Sequence, residues 1–146
     1  MQLNAFLCEA ATVADGRLYA HGAGWRTFET PHLPAVVPQL SVGLVVHPSS
    51  EEAAAGIVAS IRLFDPDGRP SQLVSASVEG VGEGMRTDEL EVSLQVEPEP
   101  DSVFVLAITM TNLVLPNEGG YHLEVSVDGE QTALPLRVMV SPALGD

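Results

Sequence analysis

The sequence predicts an all-β protein, an antiparallel β-sandwich of about eight or nine strands. Three observations carry that prediction. Apolar residues recur at every second position through most of the chain, which is the period of a half-buried strand. The apolar runs are short because 13 glycines and 11 prolines, with several Asp-Gly pairs, interrupt 146 residues. Only "SSEEAAAG" could form a helix, at most one short helical turn near 50–55.

Taken in order, residues 2–13 read as a first strand, joined by the Asp15-Gly16 turn to a second strand from Arg17. Alternation in that second strand puts Tyr19, His21, Ala23 and Trp25 on one face, with Leu18, Ala20, Gly22 and Gly24 on the other. The two glycines suit a bulge or tight bend where another backbone comes close. "QLSVGLVVH" turns Leu40, Val42, Leu44 and Val46 inward. In the helical turn, Ser49 or Ser50 is the N-cap and Gly56 the stop. A strand ending near Phe64 runs into "FDPDGRP", where Pro66 and Asp67-Gly68 make a turn.

"VEGVGEGMRTDE" reads as a flexible connection or an exposed contact loop. "ELEVSLQVE" sets Leu90, Val92, Leu94 and Val96 against Glu89, Glu91, Ser93, Gln95 and Glu97. "VEPEPD" is an acidic, proline-rich loop. The stretch 102–110, "SVFVLAITM", is apolar on both faces, so it is either central in its sheet or covered on its outer side. "YHLEVSVD" buries Tyr121, Leu123, Val125 and Val127. Asp128-Gly129 is the favoured type I′ pair between two strands. The last strand, near 131–140, buries Leu134, Leu136, Val138 and Val140, and Pro135, lacking an N–H, makes it an edge there. No repeat, linker or break in composition divides residues 1–146, so one domain is expected.

"NEGGY" refines the topology. Glycine two residues before Tyr121, and an amide four before it, match the approach to a tyrosine corner, whose hydroxyl ties a crossover loop to the backbone. The expected topology is therefore immunoglobulin-like or a related Greek key, without the disulfide, since Leu123 stands where antibody domains carry the second cysteine.

Charge excludes some functions. Twenty acids face six basic residues, all arginine, for a net charge of −14. Such a surface repels phosphate backbones and anionic membranes, so neither nucleic acid nor a bilayer is an expected partner. The absence of lysine removes a P-loop, a Schiff base and a lysine general base. A lone cysteine indicates no oxidising compartment, and no apolar run is long enough to span a bilayer. "MQLNAFLCEAA" lacks the basic region and apolar length of a leader, so a soluble cytoplasmic protein is expected.

Few residues suggest chemistry. Cys8 would be a nucleophile only beside a histidine, but "NAFLCEA" reads as an apolar strand in which the thiol is a small hydrophobe. His21, His32, His47 and His122 have no metal-ligand spacing. Asp65, Asp67 and Asp128 would form a weak calcium alternative if their loops met at one end of the sandwich. Tyr19, His21 and Trp25 would form a small-molecule or carbohydrate surface if their shared face were open. No catalytic constellation assembles, and neither a metal nor a cofactor is called for.

The N-terminal third carries Leu7-Cys8-Glu9, Ala11, Val13, Asp15-Gly16-Arg17-Leu18 and Gly22-Ala23-Gly24-Trp25. Later come Asp65, Asp67-Gly68 and Pro70, then Pro116, Gly119 or Gly120, and Tyr121. Together these resemble a family of uncharacterised bacterial, largely actinobacterial, proteins known only as a domain of unknown function. The resemblance implies a compact bacterial β-sandwich and supplies no catalytic or ligand residues. The expected function is a non-enzymatic protein-interaction or structural module, self-associating or docking on another protein. The alternative is a small-molecule or carbohydrate binder using Tyr19, His21 and Trp25.

Overall fold

Main-chain pairing in the computed structural model defines thirteen strands and one short helix among the described residues. It describes residues 1–73, 76–80, 83–87, 91–98 and 103–141, with 83–87 as backbone only. In chain order the strands are β1 (Gln2–Cys8), β2 (Ala10–Ala14), β3 (Arg17–His21), β4 (Thr27–Thr30) and β5 (Ala35–His47). After α1 (Ser50–Ala55) come β6 (Ile57–Phe64), β7 (Pro70–Ser71), β8 (Ala76–Gly80) and β9 (Glu83–Thr87). The chain continues with β10 (Glu91–Val96), β11 (Phe104–Leu115), β12 (Gly119–Val127) and β13 (Glu130–Val140).

Two sheets form the sandwich. One has the order β1-β5-β11-β8; the other has the order β4-β13-β12-β6-β10-β9, with β7 beside β6. The predicted inward residues fill the space between them: Leu40, Val42, Leu44 and Val46 from β5, Val92, Leu94 and Val96 from β10, and Tyr121, Leu123, Val125 and Val127 from β12. Their alternation with polar residues dictated this, because a pleated strand sends successive side chains to opposite faces. Leu90 lies outside the described residues. Pairing is antiparallel throughout, except that β4 lies parallel to β13.

The predicted caps and turns are present. Ser49 caps α1 in a reciprocal box with Glu52, and Gly56 ends it at φ 82°. Asp15-Gly16 and Asp128-Gly129 are two-residue hairpin turns with positive φ at both positions. Gly68 N–H donates to the Asp65 carbonyl in the "DPDG" turn. The Tyr121 hydroxyl donates to the Asn117 carbonyl at 3.0 Å and accepts from the Asn117 N–H at 2.9 Å. That pair of bonds makes a tyrosine corner where the chain crosses from β11 to β12.

Three expectations are corrected. Among the described residues the strands number thirteen, because one expected strand breaks in two and short strands form where turns and a loop were expected. Residues 2–13 are two strands, parted at Glu9, whose N–H bonds the His21 carbonyl while its own carbonyl accepts from Gln39 Nε2. The stretch beginning at Val78 is not only a loop: β8 edges one sheet and β9 edges the other. The expectation for the apolar stretch is met on both counts over 104–110, since β11 lies between β5 and β8 and the β2–β3 hairpin folds over its outer face. Ser102 and residues 99–101 of the acidic loop lie outside the described residues.

That hairpin encloses a second, smaller core of Cys8, Ala11 and Ala107, with Phe6, Val13 and Leu18 around it. Gly43 makes it possible. A Cβ there would meet the Phe6 ring at 2.5 Å, so only glycine leaves room for the ring beside β5.

One bend is shared by two strands. Val37 and Leu113 face the core, as do Leu40 and Met110, so the inward set changes parity in β5 and β11 together. Between them stand Pro38, which has no N–H to donate, and Asn112 at φ 51°.

Candidate functional site

The β12–β13 hairpin fixes which main-chain groups of β13 face outward. Residues flanking a two-residue turn form a hydrogen-bonded pair, here Val127 and Glu130. Even-numbered residues of β13 therefore bond β12. Gln131, Ala133, Pro135, Arg137 and Met139 turn their main-chain groups to the other side. The Arg137 N–H obeys this, donating to the Arg26 carbonyl at 2.7 Å. β4 covers that side from Arg137 to Val140. Before Arg137, among the described residues, no strand pairs with it. Pro135 is tolerated because its nitrogen points to this open side, where no ladder bond is lost.

The opposite layer has a matching edge. The Leu7 carbonyl of β1 accepts from the N–H of Gly24 at 3.0 Å and of Trp25 at 3.4 Å, so Leu3 and Ala5 also turn their main-chain groups away from β5. Residues 24–26 thus bridge the two sheets at one side of the sandwich. Gly22 and Gly24, at φ 69° and 89°, give the chain the left-handed turns it needs to leave β3 and make that crossing.

Beside the bridge the side of the core is open. A pocket of about 130 Å³ lies between Ala5, Phe6 and Leu7 on one layer and Leu134 and Pro135 on the other, closed at one end by Gly24, Trp25 and Arg26. The half-buried Trp25 ring packs against the main core and meets Phe28 edge-on at 6.1 Å. Its indole N–H donates to the Thr27 carbonyl at 2.7 Å. Arg26 is exposed and, among the described residues, in no ion pair. It is the one charged residue lining the pocket.

The structure separates the predicted ligand face. Tyr19, 48% exposed, stands outward on β3 opposite Thr12, and His21 is exposed opposite Ala10. Neither lines the pocket that Trp25 helps to close. The strand alternation that would have aligned the three ends at His21, after which the glycine turns carry Trp25 to the side of the sandwich.

The three aspartates are also apart. The Asp65 carboxylate accepts from the N–H groups of Asp67 and Arg69, at 2.9 and 2.8 Å, as turn chemistry. Asp128 bonds the N–H of Val58, at the other end of β6, about 20 Å of strand away. Among the described residues no group of three potential metal ligands exists. Cys8 is buried beneath the hairpin, its thiol donating to the Ser41 carbonyl at 3.6 Å. Burial raises its pKa above the usual thiol value, against a smaller lowering by a backbone bond at Ala10. His32 and His47 are exposed, and His122 stacks on Phe64 with centroids 5.0 Å apart. No helix among the described residues is long and apolar enough to cross a membrane.

Sequence reading missed Arg26, Gln131 and Ala133. The one signal pointing to them was Pro135, which marked that stretch of the last strand as an edge.

Comparison with known proteins adds a family. Residues 3–139 match the model of a family of unknown function, DUF6941. No curated protein matches the chain. Among solved structures, a family 123 glycoside hydrolase from Clostridium perfringens is similar over 96% of this chain, at 13% identity and a TM-score of 0.39. The chain spans 28% of that protein's length, and a likeness this distant bears on no question of activity.

Proposed function

The chain belongs to the family of unknown function DUF6941, a membership that carries no activity with it, and from the chain's own geometry we propose a non-enzymatic module that binds another protein. The observation supporting this reading is the open edge of β13 at Gln131–Pro135, beside the pocket at the side of the core. Unpaired strand edges are templates for another extended chain. At about 130 Å³ the pocket is well below the 300–1,000 Å³ typical of small-molecule sites, which favours a side chain as its occupant over a free metabolite.

A partner other than a second copy fits better. The apolar outer side of β11 is already covered by the protein's own hairpin, and two chains of net charge −14 repel each other. A single, unpaired cysteine suits a reducing compartment, so we place this activity in the cytoplasm.

A photo-activatable residue introduced at Gln131 in living cells tests the reading. The expected result is a discrete cross-linked protein that is absent when the label is moved to Glu51 on α1. Equal products from both positions, or none from Gln131, would overturn it.

A further inference from the structure

We propose that the open side of the sandwich receives the carboxyl terminus of a partner protein. The terminal segment adds as a strand to β13, its last aliphatic side chain enters the pocket, and its carboxylate meets Arg26. This rests on the interaction reading above and names the class of partner.

Four observations converge. Along the open side β13 offers the N–H and carbonyl groups of Gln131 and Ala133 and the carbonyl of Pro135, enough for a short ladder. That ladder cannot be long. From Arg137 the edge is taken by β4, and the bridge at Gly24–Arg26 stands across the line. A chain that ends there meets no obstruction, whereas one that continues has to turn sharply into solvent. The side opening between the layers is lined mainly by apolar groups, from Ala5, Phe6, Leu7 and Leu134. Its volume of about 130 Å³ is roughly four times the share of one water, the size of a leucine or valine side chain. At the blocked end stands Arg26. A guanidinium prefers a carboxylate, and a chain terminus supplies one with no side-chain entropy to lose.

Direction follows from position. A guest whose carboxyl end lies at Arg26 runs parallel to β13, in the same sense as β4. It occupies the line that β4 itself would extend along if the chain did not cross to β1 at Leu7.

Affinity selection from a mixture of random heptapeptides tests this, with the mixture prepared once with free carboxyl termini and once amidated. The free-acid pool is expected to enrich peptides ending in leucine, isoleucine or valine, and the amidated pool to enrich none. Arg26→Gln should weaken the selected peptides at least tenfold. Ala133→Pro should abolish their binding; it places a second proline nitrogen on the side where Pro135 already points one, so circular dichroism should be unchanged. If that variant unfolds, Gln131→Pro serves the same purpose.

Equal enrichment from both pools, or selection of internal aspartate or glutamate, would overturn the terminal assignment and leave the interaction reading intact. Enrichment insensitive to both proline variants would overturn strand addition. No enrichment from either pool would overturn the proposal, while the cross-link from Gln131 decides the broader reading separately.

Discussion

Tyr121 concentrates the chemistry of the fold in one side chain. It is 1% exposed, yet its hydroxyl both donates to and accepts from the backbone of Asn117. Removing the oxygen deletes both of the bonds that tie the exposed Asn117 to the core. Tyr121→Phe should therefore cost about 1–3 kcal/mol, read as a lowered urea midpoint at unchanged slope. Titration gives a second readout. Burial raises the phenol above its ordinary pKa and the Asp65 charge adds to this, while the Asn117 bond works against them. The unfolded chain then loses that proton first. Stability should be insensitive to this group below pH ~10 and should fall as pH rises beyond it. Tyr121→Phe should lack this part of the alkaline decline; an identical decline in both proteins would remove Tyr121 as its source.

The β2–β3 hairpin is the element whose role alternation alone least suggests. It leaves the first sheet at Glu9, turns at Asp15-Gly16, and lies back over the outer face of β5 and β11. Few groups hold it: the small cluster around Cys8, and the Glu79 carboxylate accepting from the Val13 N–H at 2.9 Å. A region with so little buried apolar surface opens more readily than the main core. Cys8 reports that opening, because its thiol is inaccessible until the hairpin lifts. Leu18→Ala trims the cluster and should cost roughly 1–2 kcal/mol there. We expect labelling of Cys8 by a disulfide reagent to accelerate about tenfold, with a smaller change in the global unfolding midpoint. If labelling and global unfolding change in step, the hairpin is not a separate opening unit.

At the scale of the whole molecule, charge and edges act together. An edge that stays open is an aggregation hazard unless something discourages identical chains from pairing. Here the stretch is short, holds a proline, and belongs to a protein of net charge −14. Sedimentation should give a monomer at low ionic strength, where that repulsion is least screened. A dimer under those conditions that Ala133→Pro dissolves would mean the occupant of the edge is a second copy.

Much of this was legible in the residues themselves, and the reason is local. Alternation in "YHLEVSVD" assigns faces because the pleat has a period of two, and Asp128-Gly129 specifies a turn because both positions need positive φ. Tyr121 was legible through the glycines and amide before it. Other features depend on residues far apart in the chain. The parity change at Pro38 exists only because Asn112, seventy-odd residues on, bends with it in the neighbouring strand. Gly43 is required by Phe6, and Trp25 leaves Tyr19 and His21 because a bridge has to be made to Leu7. The candidate site is mostly main chain, and backbone groups are the same at every position. Sequence alone determined where the long strands run, where they turn and which face each buries, since those are properties of neighbouring residues. Only the tertiary structure decided which edge is left open, what closes its end and what lies beside it, because those depend on which strands meet.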